Sequence, residues 1–217
     1  MKAIEIARKD LKIEFRTKGT LNLMILFALI TSMMFSVSIP MSLAKKTAPS
    51  LLWLVFLFVG MLGYSRAFLR EVELETLEGL KISPIAPTSV LIGKIMYNLV
   101  LMILIELIIL PIFIGLFNLD VANPALMVVS VTLGNVGFVI IVSSLSILVV
   151  KSKMREMLLP VLIFPVVFPI ITSTILAVRK SMSGDLDGIL SPLALIVGFS
   201  TIMLVIACLT FEYAFTD

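Results

Sequence analysis

Six apolar runs constrain this chain more than anything else in it, because each is close to the ~20 residues that cross a bilayer as a helix. They fall at 20–43, 49–66, 92–117, 125–150, 157–178 and 189–212. A bilayer offers no water to backbone N–H and C=O groups, so each run must form a helix that satisfies its own. Charged residues make up 14% of the 217-residue chain, against about 25% in a soluble domain. The expected fold class is an all-α integral membrane protein with six transmembrane helices, in a single transmembrane domain over 1–217. Ser42-Leu-Ala44 imitates a signal-peptide cleavage site, but the first run is longer than a typical leader core, so it is read as a retained span.

The loops set the expected orientation. Six Lys and Arg precede the first run, four lie in the second loop and three in the fourth, thirteen in all. The opposite side carries four: Lys45, Lys46, Arg179 and Lys180. The positive-inside bias predicts both termini in the cytoplasm of a prokaryotic inner membrane. Within 1–19, Ile4, Ala7, Leu11 and Phe15 recur at helical spacing among Lys2, Arg8, Lys9, Lys12, Arg16 and Lys18. That pattern predicts an amphipathic helix in the cytoplasmic interface, its basic side facing lipid headgroups.

Hydropathy breaks longest between the second and third runs, over 67–91. Arg70, Glu71, Glu73, Glu75 and Glu78 crowd into it. At roughly 100° per residue, Glu71, Glu75 and Glu78 share one helical face, with Leu69, Val72 and Leu80 opposite. Gly79 suits a helix end. Ser83-Pro84 and Ala86-Pro87 then force a turn, since a residue before proline is pushed out of the α region. Thr88 or Ser89 is expected to cap the helix that re-enters the membrane. A membrane subunit moved by a soluble machine needs such a cytoplasmic coupling helix.

Inside the spans, few residues carry chemistry. Glu106 lies near the middle of the third span, with Pro111 five residues on. An ionisable group at that depth is expensive and marks a functional candidate; its bland reading is a protonated glutamate hydrogen-bonded to a neighbouring helix. Asn98 marks the same polar side. Ser130, Gly134, Gly137 and Ser144 share a face of the fourth span and read as a packing surface. Pro160, Pro165 and Pro169 should kink or break the fifth span, which with Glu106 makes them candidates for a path or gate. Pro49 suits the start of the second span and Trp53 its outer interface.

Composition also excludes. The chain has no histidine and one cysteine, Cys208. No disulfide framework, ordinary metal site or haem-iron ligand set is expected, and no catalytic group. No phosphate-binding Gly-x-x-x-x-Gly-Lys-Ser/Thr loop occurs, so any ATP must be hydrolysed by a partner. No basic patch interleaved with aromatics points to nucleic acid. Six spans with a coupling helix suggest one half of an ABC-type exporter, working as two copies with separate ATPase subunits.

Leu11 to Phe27, Ala48-Pro-Ser-Leu-Leu-Trp53 through Gly63, Glu75-Thr-Leu-Glu-Gly-Leu80, Ser83-Pro84, Gly93-Lys94, Glu106 through Pro111 and Leu158-Leu-Pro160 together resemble the CcmB family. This is the haem exporter B component of cytochrome c maturation. The resemblance implies an ABC-2-like permease fold and a CcmA-like ATPase partner. It further implies a CcmC-like haem-handling membrane protein and a CcmE-like haem chaperone, with haem as a substrate of the complex rather than a cofactor of this chain. Its coupling helix would put the ATPase contact at Arg70, Glu71, Glu73, Glu75, Glu78, Gly79, Ser83 and Pro84. Alternatives are an export permease for lipid, glycan or drug, and a non-transporting membrane scaffold.

Overall fold

The structure, a computed structural model, describes residues 2–73, 85–150 and 155–216, with all side chains there except those of 64–73, 147–150, 155–157, 159 and 212–216. The described residues form helices α1 (Lys2–Thr17), α2 (Gly19–Ser38), α3 (Met41–Glu73), α4 (Pro87–Leu116), α5 (Pro124–Val150), α6 (Arg155–Ser183) and α7 (Leu190–Thr216). Six of them, α2 to α7, are long and apolar enough to cross a membrane. Among the described residues there is no strand. The chain is an all-α, multi-pass membrane protein.

Local chemistry sets several helix ends. Ile39 is extended (φ −105°, ψ 123°) because Pro40 follows it, and its amide bonds back to the Phe35 carbonyl. The connection between α2 and α3 therefore closes at Ile39-Pro40, ahead of Lys45 and Lys46. This corrects the expected start of the second span: α3 begins at Met41 and carries Pro49 in its interior. Likewise α4 begins with Pro87 after an extended Ala86 that makes no side-chain cap. Proline's fixed φ suits the first helical position, so Thr88 and Ser89 fall inside the first turn rather than capping it. Asn123 does cap α5, its Oδ1 accepting the Leu126 amide at 3.1 Å with Pro124 at the first position. The three prolines of α6 lie within a helix continuous from Arg155 to Ser183, so of the expected kink or break the break does not occur.

The core lies around α5, which packs against α3, α4, α6 and α7. Lipid tails are as apolar as leucine, so these helices gain from close dispersion contact rather than from escaping water. Gly134 and Gly137 supply that contact. A Cβ on Gly134 would collide with the Trp53 ring of α3 and with Thr174 of α6. One on Gly137 would collide with Ser200 of α7 and come within 2.6 Å of Ile170 of α6. On the same face, Ser130 and Ser144 bond back to the Leu126 and Ile140 carbonyls four residues earlier. The small-residue face is a packing surface.

Trp53 corrects another expectation. It is not offered to lipid headgroups but sits inside the bundle, 1% exposed, its ring edge-on to Phe138 at 6.2 Å and 89°. The missing side chain of Gly134 is the space it occupies.

Candidate functional site

The expected coupling segment divides across the described residues. α3 continues without interruption past the end of the second apolar run to Glu73. Arg70, Glu71 and Glu73 thus stand on the last turns of a membrane helix, with side chains outside the described set. Glu75, Glu78, Gly79, Ser83 and Pro84 lie outside the described residues altogether. What is described is the frame: α3 leads into the segment, and α4 leads out of it from Pro87.

α1 is fastened to that frame. Gly93 of α4 makes room for it, since a Cβ there would lie 2.9 Å from Ile6 Cβ and 3.0 Å from the Ala3 carbonyl. One residue on, Lys94 Nζ donates to Asp10 Oδ2 at 2.8 Å. Lys94 is 1% exposed. A lysine so placed is tolerable only with an opposite charge in contact. Ile6 joins Val90 and Leu91 of α4 and Ala207 and Phe211 of α7 in a small apolar cluster.

At its other end α1 turns directly into α2. Lys18 takes the left-handed conformation (φ 53°) between them and offers no side-chain cap. Glu14 supplies the cap instead: its Oε1 accepts the amides of Thr20 at 2.7 Å and Leu21 at 2.9 Å. A carboxylate at a helix N-terminus meets both unsatisfied N–H groups and the positive end of the helix dipole.

Deep in the bundle, α4 and α5 share a polar seam. Asn98 Nδ2 donates to Ser143 Oγ at 2.9 Å. Farther along, Glu106 receives two hydrogen bonds, from Thr132 Oγ1 at 2.6 Å and from Asn135 Nδ2 at 2.8 Å. Glu106 is 4% exposed, and Asn135 Oδ1 is buried with no hydrogen-bond partner. The glutamate is therefore bonded to a neighbouring helix. The arrangement joins two helices through neutral donors.

The prolines do not gather at Glu106. α6 turns Ile163, Val167, Ile170 and Thr174 into the bundle, while Pro165 is exposed and Pro160 and Pro169 half-buried. The hydrogen bonds described for Glu106 run to α5 instead.

At the end away from α1, Lys45 of α3 and Asp120, which precedes α5, form an exposed pair at 2.5 Å. The Lys45 hydrogen bond, then its charge, holds the Asp120 carboxyl below the usual aspartate range. The α4–α5 connection also docks on α6, with the Asn123 amide donating to the Ser181 carbonyl at 3.0 Å.

Sequence reasoning singled out Glu106 but missed Asp10, Glu14, Thr132 and Asn135 as partners. One signal was available: Lys18 is a poor N-cap for a helix that must begin at Gly19, so an acceptor had to come from elsewhere.

In comparison with known proteins, the family model described as CcmB protein matches residues 1–216. No curated protein matches the chain.

Proposed function

The chain belongs to the CcmB family, a permease-type membrane component of the cytochrome c maturation haem-export machinery, and from that premise we propose that it converts ATP-driven motion of a separate ATPase subunit into movement of its membrane helices. The observation that supports this most is the family match over 1–216 on a fold with one long charged segment between its second and third membrane helices. In this proposal a CcmA-like subunit docks on 67–91 through Glu71, Glu73, Glu75 and Glu78. Both termini and that segment are cytoplasmic, and two copies of the chain act together. The chain itself does no covalent chemistry. CcmC-like and CcmE-like proteins are its further partners, and haem, or release of the haem-loaded chaperone, is the outcome of the cycle.

The mechanism follows from what the segment is attached to. An ATPase that prefers one conformation of the membrane subunit shifts its population by that difference in affinity. Motion at 74–84 enters α3 at Glu73 and α4 at Pro87. α4 carries α1 with it through Lys94 and Asp10, and its seam with α5 through Glu106 is the interior joint that must move or hold. Pro160, Pro165 and Pro169 give α6 points where main-chain hydrogen bonds are missing and bending is cheaper.

The test is co-purification of the detergent-solubilised chain with candidate ATPase subunits, wild type against Glu75→Lys/Glu78→Lys. An ATPase retained by wild type and lost from the folded double variant supports docking through this segment. An intact chain that retains no ATPase, where known complexes survive the same detergent, overturns it in favour of a scaffold.

A further inference from the structure

We propose that the outward side of α1 is a docking surface for anionic phospholipid, built by the way α1 is fastened to the bundle. The argument begins with its acidic residues. α1 and Lys18 carry six basic residues and three acidic ones, Glu5, Asp10 and Glu14. The structure turns two of the three inward: Asp10 onto Lys94, and Glu14 onto the first amides of α2. On the outward side Glu5 is the acidic residue left among Lys2, Arg8, Lys9, Lys12 and Arg16, with Lys9 also 3.4 Å from Asp10, so that side stays net basic.

Helical geometry sorts α1 into three sides. At roughly 100° per residue, Ala3, Ile6, Ala7, Asp10 and Glu14 form one side, which packs on α4 and α2. Next round the helix come Leu11, Ile4 and Phe15. Ile4 is 58% and Phe15 45% exposed, large apolar groups not covered by the bundle. Arg8, Lys12 and Arg16, all exposed, lie beyond them, roughly opposite the packed side. A helix lying flat beside a membrane helix needs this order: protein on one flank, acyl chains about a quarter-turn away, headgroups on the other flank.

The level of α1 agrees. It lies beside the beginnings of α2 and α4 and the last turns of α7, where Ile6 meets Val90 and Phe211. Three apolar helices begin or end at its height, so Ile4 and Phe15 meet the bilayer rather than water. A soluble acidic protein would satisfy the cations but not that apolar side.

The experiment uses the full chain reconstituted in mixed phosphatidylcholine and phosphatidylglycerol, then re-extracted, with the co-purifying lipid measured. Wild type should retain phosphatidylglycerol in preference to phosphatidylcholine. Arg8→Gln/Lys12→Gln/Arg16→Gln should lower that preference by up to about a hundredfold, each of the three lost cations being worth roughly fivefold at an anionic surface. Lys45→Gln, at the other end of the molecule, should leave it unchanged. A fluorophore on Phe15→Cys in a Cys208→Ser background should be quenched by lipids brominated on their chains. Equal lipid retention by wild type and the triple variant, or a Phe15 label quenched only from water, overturns the proposal. Neither readout involves an ATPase, so its failure is separate from that of the coupling role.

Discussion

α4 buries two ionisable side chains, Lys94 and Glu106, about 18 Å apart along its axis, and they are accommodated by opposite means. Lys94, two turns into the helix, meets a full opposite charge on Asp10. Glu106, far deeper, meets only the hydroxyl of Thr132 and the amide of Asn135. The difference follows from depth. Near the interface a carboxylate on an amphipathic helix can be brought in from the water side. At depth a counter-charge would itself have to be desolvated, so neutral donors on a neighbouring membrane helix are the cheaper partners. Polar groups hold α4 at two depths, but the outer joint depends on charge and the inner one on hydrogen-bond donors.

The comparison is broken most severely at Lys94. Lys94→Ala should cost about 3–5 kcal/mol, because it empties the space of a fully buried side chain and leaves half-buried Asp10 only the exposed Lys9 at 3.4 Å. Thermal melting in detergent should show it, and Asp10→Leu/Lys94→Met should recover most of the loss. A single variant that melts with wild type would mean the pair is hydrated and the contrast with Glu106 false. At the inner joint, Glu106→Leu orphans two donors at roughly 1–3 kcal/mol each. Glu106→Gln keeps an acceptor and should cost clearly less. Equal destabilisation by Gln and Leu would show that the carboxylate charge is what matters there.

Glu14 sharpens the comparison from a third direction, since its partners are main-chain amides. Glu14→Ala should cost about 1–2 kcal/mol, the range for a lost N-cap, and hydrogen exchange at Thr20 and Leu21 should rise ahead of the rest of α2. Glu14→Gln, which keeps an acceptor, should restore protection. The smallest effect belongs to the exposed Lys45–Asp120 pair. Because the folded protein lowers the Asp120 pKa, its contribution is present above the ordinary aspartate value of 3.8 and fades as pH falls through the folded value. Lys45→Met should remove that acid dependence and scarcely change stability at neutral pH.

How much of this the sequence discloses depends on the range of the interaction. The six membrane helices are legible because bilayer thickness imposes a length on each apolar run. The close packing at Gly134 and Gly137 is legible because only a small residue permits it. Trp53 is misread because aromatic rings favour interfaces on average, while its burial depends on a glycine in another helix. The start of α3 is misread because two lysines look like a loop, although Pro40 is the local breaker. Lys94 looks like one more cytoplasmic cation until Asp10, far away in the chain, is seen against it. For Glu106 the need for a neighbouring helix can be read in advance. The identity of Thr132 and Asn135 depends on the register of α4 against α5, which no local pattern carries.

α3 is a single rod from Met41 to Glu73, pinned where Trp53 fills the gap left by Gly134. A rod held part-way along is a lever. Its arm from Trp53 to Glu73 is about 30 Å and its arm from Trp53 to Met41 about 18 Å. Were it to tilt about that point, a shift of about 3 Å at Glu73 would return as up to about 2 Å in the opposite direction at Met41, less what bending at Pro49 on the short arm absorbs. Lys45 stands on that short arm, with Asp120 as its load.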